Sequence, residues 1–284
     1  MKKKLVLLVT MALTATLMLT GCGGSDAGKS NSGDSSAPTS TNVDASWDTV
    51  KDKGEFIMGL DDSFPPMGFR DEKNEISGFD VDVAKEVSSR LGVTLKLQPI
   101  NWDAKEQELN TGNIDCIWNG FTMTEERKQA LSFTKPYMNN RQVLVVKKDA
   151  AYTKLADLEG KKLGLQAGSS AADALNASAD FKGKLKEVVE LDNNMTALMD
   201  LEKGGVDAVL MDEVVARYYI TIKGKGYKVI DEALATEEYG VGLRKNDVAL
   251  TEQVQKTLEE MAKDGKLAEI SNKWFGKDIT TVAK

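Results

Sequence analysis

The sequence predicts an α/β protein of two lobes facing each other across a cleft, and three features lead there. From residue 56 onward, short apolar runs alternate with longer segments of helical period, the pattern of βα units around a mostly parallel sheet. The chain beyond Trp47 exceeds the roughly 100–200 residues of one ordinary domain, which implies two. The pattern crosses between them twice, through residues 136–140 and back at 239–243, so two neighbouring strands form a hinge.

Residues 56–60 read as the first strand. The loop at 61–66 follows, where Pro65 and Pro66 forbid helix. A helix is expected over 81–91, since Val83, Val87 and Leu91 stack on one face at four-residue spacing, and Gly92 ends it. A strand at 93–97, a helix at 104–110 and a strand at 114–118 come next. Thr124 opens a short helix with Glu125 and Glu126 in its first turn, where the helix dipole favours acids.

The second lobe repeats this logic. Strands are predicted at 141–146, 163–166, 185–190, 206–211 and 227–230, and helices at 170–177, 195–203 and 212–222. Helices at 247–263 and 267–274 close the chain, with Val254, Leu258 and Met261 giving the first an apolar face. Lobe I is therefore assigned residues 47–139 and 237–284, and lobe II residues 140–236.

The N-terminus sets the compartment. Lys2, Lys3 and Lys4 precede an apolar run at 5–19 that makes a secretory signal and is short for a membrane span of about 20 residues. It leads into Leu19-Thr20-Gly21-Cys22, which resembles the lipobox of bacterial lipoproteins; that resemblance implies removal of residues 1–21 and lipidation of Cys22. Residues 22–46 are then the lipidated Cys and a flexible linker almost free of large apolar side chains.

Composition excludes several function classes. The formal charge is −7, and loss of residues 1–21 removes three lysines and no acid, leaving −10. Nucleic acid, which needs a basic face, is thus no expected partner. The chain has no His, the commonest metal ligand and the usual general base near neutrality. Cys116, the one thiol besides Cys22, sits in an apolar run and reads as buried strand filler. Alone it makes neither an internal disulfide nor a zinc cluster. No metal, no cofactor and no catalytic residue is expected.

The octet Gly78-Phe79-Asp80-Val81-Asp82-Val83-Ala84-Lys85 resembles the signature of the family 3 solute-binding proteins, which serve polar amino-acid ABC importers. The resemblance continues in order through residues 61–64, 113–115, 122–127, 132–137, 166–170 and 205–213, and covers nearly all of residues 53–276. It implies the type II periplasmic-binding-protein fold, two α/β lobes joined by a two-strand hinge with the ligand in the cleft. Together with the lipobox, it implies a lipid-anchored, extracytoplasmic monomer that captures a polar L-amino acid by hinge closure and delivers it to the permease subunits of an importer.

In that family the cleft holds the α-amino and α-carboxylate groups in a fixed way and varies the side-chain pocket. At the matching positions, Arg127 offers a planar fork to the carboxylate, and Thr122 adds a hydroxyl and an N–H. From the other lobe, Ser169 and Ser170 open a helix whose free N–H groups attract anions; simple capping explains the same two residues locally. Asp212 matches the family's ammonium-binding acid at the carboxyl end of a strand, with the Gly120 carbonyl a second acceptor; a helix N-cap is its other reading.

The side-chain pocket is drawn from Asp61, Phe64, Trp102, Asn119 and Gln166, with Phe64 and Trp102 matching the pair that sandwiches the ligand side chain. Trp118 and Phe121 belong equally to pocket or core. Asn119 and Gly120 stand where many relatives carry Ser or Ala, which leaves arginine, lysine, histidine, glutamine and cystine or cysteine open. The same scaffold occurs in dehydratases and as a regulatory lobe of lytic transglycosylases, and function lives in the site rather than the fold. Here catalysis would rest on carboxylates alone, and Asp61 and Asp212 are both committed to ligand charges. An adhesin or sensor ectodomain fits the lipid anchor as well.

Overall fold

A computed structural model describes residues 44–282 of the chain; the predicted signal, the lipidation site Cys22 and the linker up to residue 43 lie outside the described residues. The chain opens with α1 (Ser46–Lys53) and β1 (Glu55–Leu60), followed by the short strands β2 (Ser63–Phe64), β3 (Gly68–Arg70) and β4 (Ile76–Ser77). Then come α2 (Phe79–Leu91), β5 (Thr94–Pro99), α3 (Lys105–Asn110), β6 (Cys116–Ile117), α4 (Glu125–Ala130) and β7 (Leu131–Phe133). The middle of the chain forms β8 (Met138–Lys147), β9 (Lys162–Gln166), α5 (Ser170–Ala177), α6 (Ala179–Lys184), β10 (Glu187–Leu191), α7 (Asn194–Lys203), β11 (Ala208–Asp212) and α8 (Glu213–Arg217). It ends with β12 (Tyr227–Tyr239), β13 (Gly242–Arg244), α9 (Val248–Lys263) and α10 (Lys266–Phe275).

Two five-stranded sheets result, ordered β5-β1-β6-β13-β7 and β10-β9-β11-β8-β12, and each anchors one lobe. The first three strands of each run parallel, as the βα pattern predicts, while the strands that carry the chain between lobes pair antiparallel. The chain changes sheet twice, between β7 and β8 and between β12 and β13. These two passages are hydrogen-bonded to each other, with Met138 opposite Tyr239. A two-strand hinge is therefore present.

Periodicity predicted the buried faces. Val83 and Val87 of α2 and Val254, Leu258 and Met261 of α9 pack with Phe56, Met58 and Leu60 of β1 in one apolar cluster. Gly92 closes α2 at φ +72°, the left-handed C-cap the sequence announces. Cys116 is wholly buried in β6, and burial drives its thiol pKa well up, so it packs and does not react. Among the described residues no helix is long and apolar enough to cross a membrane.

Parts of the chain differ from the sequence reading. The strand predicted at 227–230 runs on to Tyr239, because two register shifts near Ala233 break the alternation that would have revealed it. The helix predicted at 212–222 splits into α8 and a π-helical turn, Tyr218–Ile222, where Tyr218 packs against Phe69 of the other lobe at 5.7 Å. Asp44 and Ser46, placed in the linker by composition, fold instead onto α9: their side chains accept the N–H groups of Ala249 and Leu250, capping its N-terminus.

Candidate functional site

Between the lobes lies a narrow cavity, lined by Phe64, Trp102, Gly120, Thr122 and Arg127 from the first lobe and by Gln166, Ser169, Ser170 and Asp212 from the second. Larger grooves open on the surface nearby, one beside Phe69 and Tyr218 and one beside Arg141 and Glu237. Of these, the small cavity joins Arg127 to Asp212. Nine of the eleven ligand-binding residues expected from sequence thus meet in one place, and the other two, Asp61 and Asn119, stand directly behind its wall.

Local structure explains each placement on the first lobe. Thr124 caps α4 by accepting the Arg127 N–H at 3.2 Å, which fixes Arg127 in the first turn. The guanidinium lies over the Phe121 ring at 4.8 Å and donates to the Thr122 carbonyl at 3.1 Å. Phe121 and Trp118 are wholly buried, which resolves both to the core; Phe121 serves the site by supporting Arg127 and by packing edge-on to Trp102 at 5.8 Å. Gly120 adopts φ +55°, and a Cβ there would stand 2.9 Å from Phe64 Cε1, so only glycine fits this turn. Its N–H donates to Asp80 Oδ2 at 2.7 Å; the same oxygen accepts from the Tyr137 hydroxyl at 2.9 Å, and burial pushes the Asp80 pKa to about 7.

On the second lobe the capping alternatives fail. Ser169 occupies the N-cap position of α5 without a side-chain cap bond; its hydroxyl donates to the Gln166 carbonyl at 2.7 Å. The Ser170 hydroxyl lies 3.1 Å from that of Thr122 across the cleft and accepts from Gln142 Nε2 at 3.1 Å. Asp212 stands at the N-cap of α8 and likewise makes no capping bond. Its Oδ1 instead accepts from Asn140 Nδ2 and the Tyr239 hydroxyl, each at 2.6 Å. Burial, and then the neighbouring Glu237 charge, raise the Asp212 pKa. A cation delivered there would relieve both costs.

A polar relay backs the cavity on the Gln166 side. Asp61 Oδ2 accepts from Gln166 Nε2 at 2.8 Å, Gln166 Oε1 accepts from Asn194 Nδ2 at 3.1 Å, and Asn119 Oδ1 accepts the Asp61 N–H at 3.1 Å. Burial raises the Asp61 pKa.

Sequence reasoning missed five polar side chains here. Asn140 and Gln142 point inward from β8, and Glu237 Oε2 on the paired strand β12 accepts from both, at 3.1 and 3.0 Å, and from the Thr122 hydroxyl at 3.0 Å. The two-residue spacing of Asn140 and Gln142 on a strand was their available signal. Tyr239 and Lys105 carried none, since a Tyr on a strand and a Lys on a helix read as ordinary packing and surface.

The profile of the bacterial extracellular solute-binding proteins, family 3, matches residues 56–277. The chain is 34% identical over 233 residues to an L-cystine-binding protein of Escherichia coli strain K12, a match covering 81% of this chain and 86% of that protein. A substrate-binding protein of an ABC uptake transporter from Streptococcus pneumoniae, solved with bound histidine, superposes with a TM-score of 0.82 at 40% identity, covering 85% of this chain and all of that one. An ancestral amino-acid-binding protein described as a precursor of cyclohexadienyl dehydratase superposes with a TM-score of 0.74 at 32% identity, over 81% of this chain and 99% of that one.

Proposed function

Since the chain belongs to the bacterial extracellular solute-binding proteins, family 3, we propose that it captures a polar L-amino acid by lobe closure and delivers it to the permease of an ABC importer. The observation that carries this reading is the meeting of Arg127 and Asp212, opposite in charge and supplied by different lobes, in one cavity with Phe64 and Trp102. A zwitterion is the ligand that satisfies both.

In this reading lobe I comprises residues 47–139 and 237–284 and lobe II residues 140–236. Arg127, Thr122 and Ser170 take the α-carboxylate; Asp212 and the Gly120 carbonyl take the α-ammonium. Phe64 and Trp102 hold the side chain, with Gln166, Ser169, Asn119 and Asp61 setting its polar end. Closure follows from binding because only the closed form offers both charged partners at once. Residues 1–21 are removed, and lipid on Cys22 holds the protein, as a monomer, to the outer face of the cell membrane. The ligand leaves unchanged: the acids in the cavity bind charges rather than turn over a bond.

A thermal-shift panel of the L-amino acids and cystine tests this, on protein unfolded and refolded to strip carried ligand. At about 100 times Kd, one bound ligand stabilises by roughly 2.7 kcal/mol, a readily measured shift. A shift from at least one polar amino acid is expected; no shift from any of them contradicts the reading.

A further inference from the structure

Among the described residues Lys105 is the one buried lysine, 2% exposed. It opens α3 in the first lobe, three residues after Trp102, yet it does not line the cavity. Its Nζ donates to the Trp102 carbonyl at 3.2 Å and, across the cleft, to the Gly168 carbonyl at 2.8 Å; Glu106 Oε2 lies 3.1 Å away. The Gly168 carbonyl also receives Arg127 Nη2 at 3.3 Å. One carbonyl of the second lobe thus accepts from two cations of the first.

Gly168 is built for this approach. It adopts φ +64°, and a Cβ there would stand 2.9 Å from Asp103 Cα and 2.7 Å from Asp103 Oδ1, so the turn after β9 meets the backbone of the other lobe directly. Burying an ammonium costs several kcal/mol unless carbonyls or carboxylates replace its water. The Gly168 carbonyl does so only while the lobes are together. Burial, and then the Arg127 charge, lower the Lys105 pKa, in keeping with that cost.

We infer that Lys105 is a positioning residue, a latch that holds the turn carrying Ser169 and Ser170 against the first lobe and so sets how long a captured ligand stays without touching it. Its contact with Gly168 differs between the open and closed forms, which is what a group needs in order to bias them. The inference rests on the proposed capture by closure.

The test uses the full chain and whichever of L-arginine, L-histidine, L-glutamine and L-cystine binds it tightest. Lys105→Met keeps the stem and removes the charge. It is expected to raise the dissociation rate, followed by stopped-flow tryptophan fluorescence, about tenfold, while the association rate and the ligand-free melting temperature stay put. Gly168→Ala attacks the same contact from the other lobe and is expected to act alike, with the double variant no worse than either single one. Hydrogen exchange over residues 166–172 of the ligand-free chain is expected to quicken in Lys105→Met. An unchanged dissociation rate, or a lowered ligand-free melting temperature with both rates altered, overturns the latch. If no amino acid binds the unsubstituted chain, the capture reading fails, and the exchange experiment alone decides on Lys105: unchanged exchange overturns its role in closure.

Discussion

Gln166 Nε2 donates to Asp61 Oδ2 at 2.8 Å, joining side chains 105 positions apart and on different lobes. The other Asp61 oxygen accepts the Ser63 N–H at 2.8 Å, and among the described residues no Lys or Arg pairs with this buried carboxylate. A ligand whose side chain ends in a cation would supply what the wall lacks. Asp61→Asn is therefore expected to weaken arginine binding about 10- to 100-fold relative to glutamine, the range of one charge-assisted hydrogen bond. Competition calorimetry with the two amino acids reads this ratio. An unchanged ranking would remove Asp61 from the specificity pocket.

Asp212 gives binding a pH dependence of known sign. Burial and the Glu237 charge raise its pKa from 3.8 to about 7. A raised acid pKa favours the folded cleft at low pH, and that stabilisation is lost as pH rises through about 7. A bound α-ammonium favours the carboxylate, so below about 7 ligand uptake must expel a proton. Affinity is expected to fall as pH drops from 8 to 5, with proton release seen as a buffer-dependent heat in titration calorimetry. Asp212→Asn should flatten this profile; a profile unchanged by that substitution would place the titrating group elsewhere.

The N-terminal edge of the fold is held by two helix caps separated from their helix by over 200 residues. Asp44→Ala and Ser46→Ala each free one α9 amide, at about 0.5–2 kcal/mol by the usual cost of a lost cap. For a domain of this size that is roughly 2–4 °C of melting temperature per kcal/mol. Scanning calorimetry of the ligand-free chain checks it, and ligand affinity should not move.

Much of this architecture is legible in the sequence because its signals are local. The valines of α2, the Gly92 stop and the Thr124 cap each reveal an element within a few residues. Arg127 and Asp212 were recognisable because they stand at positions matching the family resemblance, Asp212 also at the carboxyl end of a strand, where open α/β sheets place ligands. Glu237 and Lys105 were not. Glu237 lies on a strand whose bulges erase the period-2 pattern, and buried Lys105 donates to the carbonyl of Gly168, distant in sequence and on the other lobe. Asn119, expected inside the pocket, stands behind Asp61 because its side-chain oxygen accepts the Asp61 backbone N–H. Contacts made by closing a cleft between distant segments leave little trace in the composition of either segment.

The central claim is that Arg127 and Asp212 together hold a free amino acid. Titration calorimetry of the tightest-binding amino acid into the unsubstituted chain and into Arg127→Ala tests it most directly. The account predicts a loss of about 2–5 kcal/mol in binding free energy, the range for removing one partner of a buried charge pair, with the ligand-free melting temperature close to that of the parent. Binding of Arg127→Ala at the parent's affinity would contradict it.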